Sequence, residues 1–151
     1  MNGFIGKDFL LRSETARRLF HDYAAQMPIV DYHCHVSPKE IFEDKHFANI
    51  TEAWLAGDHY KWRLMRSNGV DERYITGDAP AREKFQKFAE TLPKAIGNPM
   101  VHWCHLELKK YLGYEGVLNG DTAQEVWDLS CEVFQKEHMG VRGLIDMSNV
   151  R

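Results

Sequence analysis

His33 and His35 stand one residue apart at the end of a short apolar run, in the stretch PIVDYHCHVSPKE from Pro28 to Glu40. On an extended segment, residues i and i+2 point to the same face, about 6–7 Å apart along the chain. Two imidazoles placed that way can converge on one divalent ion, with metal–nitrogen distances of about 2.0–2.1 Å for zinc. Asp31 would face the same side one step deeper and could orient a ring from behind. With 8 histidines in 151 residues the bare spacing is weak, and two packed or solvated histidines are the competing reading. Context favours the metal: a strand candidate, a sharp turn and a preceding aspartate surround the pair.

Two further groups could do chemistry. His59 and Tyr60 lie in GDHYKWR; taken alone, Tyr60 reads as an ordinary amphipathic residue on the first turn of a helix. His102 and His105, in HWCH, share a helix face at i and i+3 and form a rival metal site. Trp103 and Leu106 beside them argue for packing instead. Cys34 should point away from its flanking histidines and reads as a small buried hydrophobe. The three cysteines, Cys34, Cys104 and Cys131, form no CxxC, so neither a disulfide framework nor a cysteine zinc site is expected. A reducing cytosol is the natural compartment.

The elements that must hold these residues are mostly helical. Ser13 is an N-cap for a helix to about Met27, where Pro28 stops it. Ile29–His35 is the best strand candidate, partly β-branched and short. SPKE at Ser37–Glu40 has the form of a capping-box helix start, with proline at the first helical position. TEAWLAG stops at Gly57, and Asp58 caps HYKWRLMRSNG. Asp78 and Pro80 open a helix with Phe85, Phe88, Ala89 and Leu92 on one face. MVHWCHLELKKYLG runs to Gly113. Asp121 caps a helix whose core face carries Val126, Leu129, Val133 and Phe134, and a short helix spans Val141–Met147. One strand cannot form a sheet alone. The layout therefore reads as the N-terminal piece of a larger α/β protein, with a second strand beginning at the last residues.

Composition narrows the function classes. Hydrophobic residues make up 44% and charged residues 27%, enough for a packed core. A net charge of −3 argues against a nucleic-acid partner, which needs a basic patch. No apolar run approaches the roughly 20 residues needed to span a bilayer, and MNGFIGKDFLLRSE lacks the apolar core of a secretory signal. Exposed helix faces could drive self-association, so a homo-oligomer is among the expected partners.

Three blocks together, DYHCHVSPKEI, GDHYKWRLMRSNGVDERYITGDA and HWCHLELKKYLG, resemble the uronate (glucuronate) isomerases of the amidohydrolase superfamily. The resemblance covers essentially the whole chain. It implies a parent α/β fold, a distorted (β/α)8 TIM-like barrel about three times this length. This chain would be mainly α: an N-terminal helix and first barrel strand over 1–35, a helical insertion over 36–148, and the truncated start of the next strand over 149–151. The implied reaction interconverts D-glucuronate with D-fructuronate, and D-galacturonate with D-tagaturonate, by proton transfer between C2 and C1. It needs an acid–base group and a stabiliser of developing oxyanion charge. By residue match, His33 and His35 would bind a divalent metal, usually zinc, while Tyr60 moves the proton and His59 contacts substrate. A tyrosine acting as base needs a nearby cation. The remaining acidic metal ligand and the arginines that clamp the uronate carboxylate would lie beyond Arg151, so weak metal binding and no activity are expected of these residues alone. Cys104 stands where the family has threonine. The implied setting is cytoplasmic, with a hexuronate substrate and neither nucleic acid nor membrane as partner. Two alternatives remain: a metal-dependent hydrolase of the same superfamily, and a helical interaction module with structural histidines.

Overall fold

A computed structural model of the chain describes residues 4–151. Helix α1 covers Glu14–Asp22, with the Ser13 hydroxyl accepting the Ala16 N–H at 3.1 Å. It ends at Tyr23, earlier than the expected Met27, and a 3-10 turn over Ala24–Gln26 leads into the extended Met27 that Pro28 demands. No α1 residue is buried, so no packing holds a further turn in place.

The strand expected over Ile29–His35 reduces to one parallel bridge, Ile29 to Val150. Ile29 N–H donates to Asn149 O at 2.8 Å, and Arg151 N–H donates to Ile29 O at 2.8 Å. The segment beyond Ile29 finds no second bridge among the described residues, and bends. Helix α2, Pro38–Glu43, starts where the sequence predicts, with Pro38 in its first turn. The capping box does not close, because the Ser37 side chain makes no capping bond and Glu40 instead accepts from Lys45 Nζ at 2.9 Å. Asp44 then turns the chain in the left-handed region, φ 49°.

Helices α3 (Ile50–Leu55), α4 (His59–Ser67), α5 (Ala81–Thr91), α6 (Pro99–Glu107) and α7 (Ala123–Phe134) enclose the core. Trp54, Met65, Phe85, Phe88, Leu92, Cys104, Leu108, Val126 and Phe134 pack there as one cluster. Leu129 is only partly buried, at the edge of that cluster. A π-helical turn, Leu108–Leu112, extends α6 to Gly113 at φ 71°. Thr122, not Asp121, precedes α7; the Asn119 side chain accepts the Asp121 and Thr122 N–H groups and forms the turn instead. Helix α8, Val141–Met147, matches the sequence reading at both ends. Asp44 ties it to α2 by accepting the Arg142 N–H at 2.9 Å.

Among the described residues the buried apolar side chains run from Ile50 to Val141, with Ile5 the one addition before them. The structure is mainly α with two isolated bridges, the second joining His46 and Gly140. No helix among the described residues is long and apolar enough to cross a membrane.

Candidate functional site

The loop that follows Ile29 folds His33 and His35 toward each other. Their ring centroids are 5.2 Å apart and their Nε2 atoms 3.1 Å apart. Two nitrogens on one zinc at about 2.0–2.1 Å, with bond angles between square and tetrahedral, lie about 3 Å from each other. The pair thus has the bite of a two-point metal ligand. Both Nε2 lone pairs would have to face the ion, which puts the remaining ring proton of each on Nδ1. No group of three or more His, Cys, Asp or Glu side chains gathers into a metal site among the described residues.

Two expectations about this loop are corrected. Asp31 does not orient a ring; its Oδ1 accepts the backbone N–H of His33 at 3.2 Å, an Asx turn that tightens the bend. Cys34 is exposed rather than buried, because the loop departs from the strand geometry that would have turned it inward.

His59 and Tyr60 form the first turn of α4. Asp58 Oδ1 caps that turn, accepting Tyr60 N–H at 2.9 Å and Lys61 N–H at 3.2 Å. The two rings lie against one another with centroids 4.5 Å apart, and the Arg63 guanidinium sits 5.2 Å from the centroid of the Tyr60 ring. Tyr60 itself is 58% exposed.

A cleft of about 580 Å³ brings the two groups together: His35, His59 and Tyr60 line it with Asp58, Glu40, Lys45 and Glu52. His33 reaches it only through His35. Lys45 was not singled out by sequence reasoning. Its Nζ lies 2.9 Å from Glu40 Oε1 and 3.6 Å from Glu52 Oε1, linking α2 to α3. The Glu40 carboxylate beside Lys45 holds its ammonium above the ordinary lysine range. Burial works against the Asp58 carboxylate, but the Lys61 ammonium and the two capping N–H groups outweigh it and hold its pKa below the usual value.

The rival pair is spoken for. His105 is buried, with Nδ1 donating to Val101 O and Nε2 accepting Leu118 N–H at 2.9 Å. Neither nitrogen is left for a metal, and burial lowers the pKa of the ring. The His102 ring meets Phe9 edge-on at 5.0 Å. Trp103 and Leu106 are exposed and do not join the core, where Cys104 and His105 pack instead.

Comparison with known proteins gives one answer. A family model described as glucuronate isomerase matches residues 1–151. The uronate isomerase of Lachnospira eligens is 66% identical over 150 residues, covering 99% of this chain and 32% of that protein. The Bacillus subtilis uronate isomerase is 56% identical over 151 residues, covering 100% of this chain and 32% of its own length. The crystal structure of uronate isomerase from Thermotoga maritima superposes with a TM-score of 0.84 at 39% identity, covering 87% of this chain and 29% of that one. The glucuronate isomerase structure from Caulobacter crescentus, at 24% identity and a TM-score of 0.77, shares the fold over 83% of this chain and 28% of its own. The chain therefore spans about a third of the length of the curated relatives it matches.

Proposed function

The chain belongs to the glucuronate isomerase family, and from that premise we propose that it supplies the metal-ligand pair and the proton-transfer turn of a hexuronate isomerase active site. The activity is proposed for the protein at the length of its relatives. The reaction is the interconversion of D-glucuronate with D-fructuronate and of D-galacturonate with D-tagaturonate, in the cytoplasm. On this reading residues 1–35 carry the first barrel strand, 36–148 a helical insertion, and 149–151 the start of the next strand; the parallel bridge from Ile29 to Val150 supports it.

The observation that carries the proposal is the shared cleft of His35, His59 and Tyr60, with His33 and His35 meeting at 3.1 Å beside it. His33 and His35 would hold a divalent metal, zinc by preference for imidazole, which when bound stabilises negative charge on a substrate oxygen. The open sugar lies along the cleft, with its C1–C2 end toward the histidine pair. Tyr60 moves the proton: as the phenolate it takes the C2 proton, leaving an enediol, and as the phenol it returns that proton to C1, while the proton of the C2 hydroxyl passes to the C1 oxygen. One group can serve both carbons because they are bonded neighbours. His59, held against the Tyr60 ring, hydrogen-bonds a substrate hydroxyl and limits the angle from which the phenol approaches.

The test follows ketose formation from D-glucuronate by the full-length protein, with His33→Ala and Tyr60→Phe alongside. Each variant is expected to lose about 10²- to 10⁴-fold in kcat, the usual size of an acid–base contribution. Rates like those of the unaltered protein in both variants would remove the assignment.

A further inference from the structure

We propose that the ion pair of the partly exposed Asp58 with the buried Lys61 is a positioning device, which fixes the first turn of α4 so that Tyr60 meets its substrate carbon. This rests on the reading of Tyr60 as the proton-transfer group. The two oxygens of Asp58 are committed in different directions. Oδ1 accepts the amides of Tyr60 and Lys61, and Oδ2 accepts from Lys61 Nζ at 2.7 Å. The Lys61 side chain is 8% exposed, and its ammonium lies 5.5 Å from the centroid of the Trp54 ring on α3.

Neither capping nor packing alone requires this arrangement. An asparagine or serine would cap the helix without a lysine. A methionine would fill the space under Trp54 without a charge, and a buried pair is often no more stable than the apolar side chains that could replace it. What the pair adds is direction. With both oxygens engaged, the carboxylate cannot rotate, and the Tyr60 amide bound to it is fixed with respect to the core. Tyr60 depends on that backbone tether, because its hydroxyl has no hydrogen-bond partner among the described residues. A second tie sits one turn on, where Trp62 Nε1 donates to Leu55 O at 2.7 Å. Asp58 and Lys61 thus act through Tyr60 rather than on substrate.

The test measures kcat, KM and the unfolding midpoint of the full-length protein with D-glucuronate. The double variant Asp58→Asn/Lys61→Met keeps the capping oxygen and the apolar stem while removing both charges, so it should fold. It is expected to lose about 10- to 100-fold in kcat, the scale of a misplacement near 1 Å. KM should stay within about twofold, because substrate binding is not what the pair serves. A kcat equal to that of the unaltered protein would overturn the inference and leave the pair a stability feature. If the double variant does not fold, Lys61→Met alone, which leaves the partly exposed Asp58 capping the turn, decides the question on the same criterion. Tyr60→Phe is run alongside. Full activity in Tyr60→Phe removes the site reading and this inference with it. An impaired Tyr60→Phe beside a fully active double variant removes this inference only.

Discussion

His33 and His35 present their Nε2 atoms to one another at 3.1 Å from a loop anchored by one backbone bridge at Ile29. That separation serves one ring nitrogen donating to the other, or on the proposed reading two ligands on one ion, and the described residues gather no third ligand beside them. Zinc titrated into the 151-residue chain should therefore bind weakly. Half of the ligands of a site worth about 10–16 kcal/mol gives about 5–8 kcal/mol, a Kd on the order of 1–200 μM. Calorimetry would read this, with His33→Ala and His35→Ala each abolishing the signal. Nanomolar binding, or binding that survives both variants, would show that the ion sits elsewhere.

His105 makes stability sensitive to mild acid. Burial lowers its pKa in the folded chain, where it donates to Val101 and accepts from Leu118 as a neutral ring. The unfolded chain takes up the proton near the ordinary value of about 6.5. Below that pH the unfolded state binds more protons, so its relative free energy falls. The contribution is full above about pH 6.5 and is lost as pH drops toward the lower folded value. Urea midpoints measured between pH 7.5 and 5 should fall more steeply in the natural chain than in His105→Gln, which would itself be less stable. Equal slopes would show that the ring titrates normally.

Gly143 lies on α8 against the turn before it. A Cβ there would stand 1.8 Å from the carbonyl oxygen of His138, a backbone atom with no freedom to move aside. Gly57, beside the cleft, has nothing within 4 Å of the same position. Gly143→Ala should cost about 3 kcal/mol or more, as overpacking does, while Gly57→Ala should stay within about 0.5 kcal/mol. Denaturant unfolding of both variants checks the contrast, and similar midpoints would contradict this packing of α8.

Local signals were legible in the chain where one residue decides them. Ser13 and Asp58 cap the helices they were expected to cap. Phe85, Phe88, Ala89 and Leu92 share the buried face that their spacing predicts. Contacts set by distant segments were not legible. The full engagement of His105 needs Leu118, thirteen residues on, and the Glu40–Lys45–Glu52 link depends on how α2 folds back toward α3. The strand failed for a related reason: its residue types suit a sheet, but the backbone of Asn149–Arg151 pairs only with that of Ile29. His33 and His35 do come together as their spacing suggests, yet the approach comes from the Asp31 turn rather than from β geometry.

Lys45 should govern how an anionic substrate enters the cleft. Besides His35 and His59, four charged side chains line it: Glu40, Glu52 and Asp58 are carboxylates, and Lys45 is the cation. Asp58 is already balanced by Lys61, which leaves Lys45 facing two glutamates. A hexuronate brings a further negative charge. Removing Lys45 would leave two uncompensated carboxylates on the wall, each repelling that charge by about 0.5–1 kcal/mol at 5–8 Å in a mostly aqueous cleft. Lys45→Met in the full-length protein should therefore raise KM for D-glucuronate about 5- to 30-fold at low salt, with kcat changed much less. Fold stability should change little, because this partly exposed link is worth about 1 kcal/mol or less. Near 0.5 M salt, with a screening length of about 4 Å, the difference in KM should shrink toward unity. Glu52→Gln should move KM the other way. A KM indifferent to Lys45 and to salt would mean that the substrate carboxylate lies away from this wall.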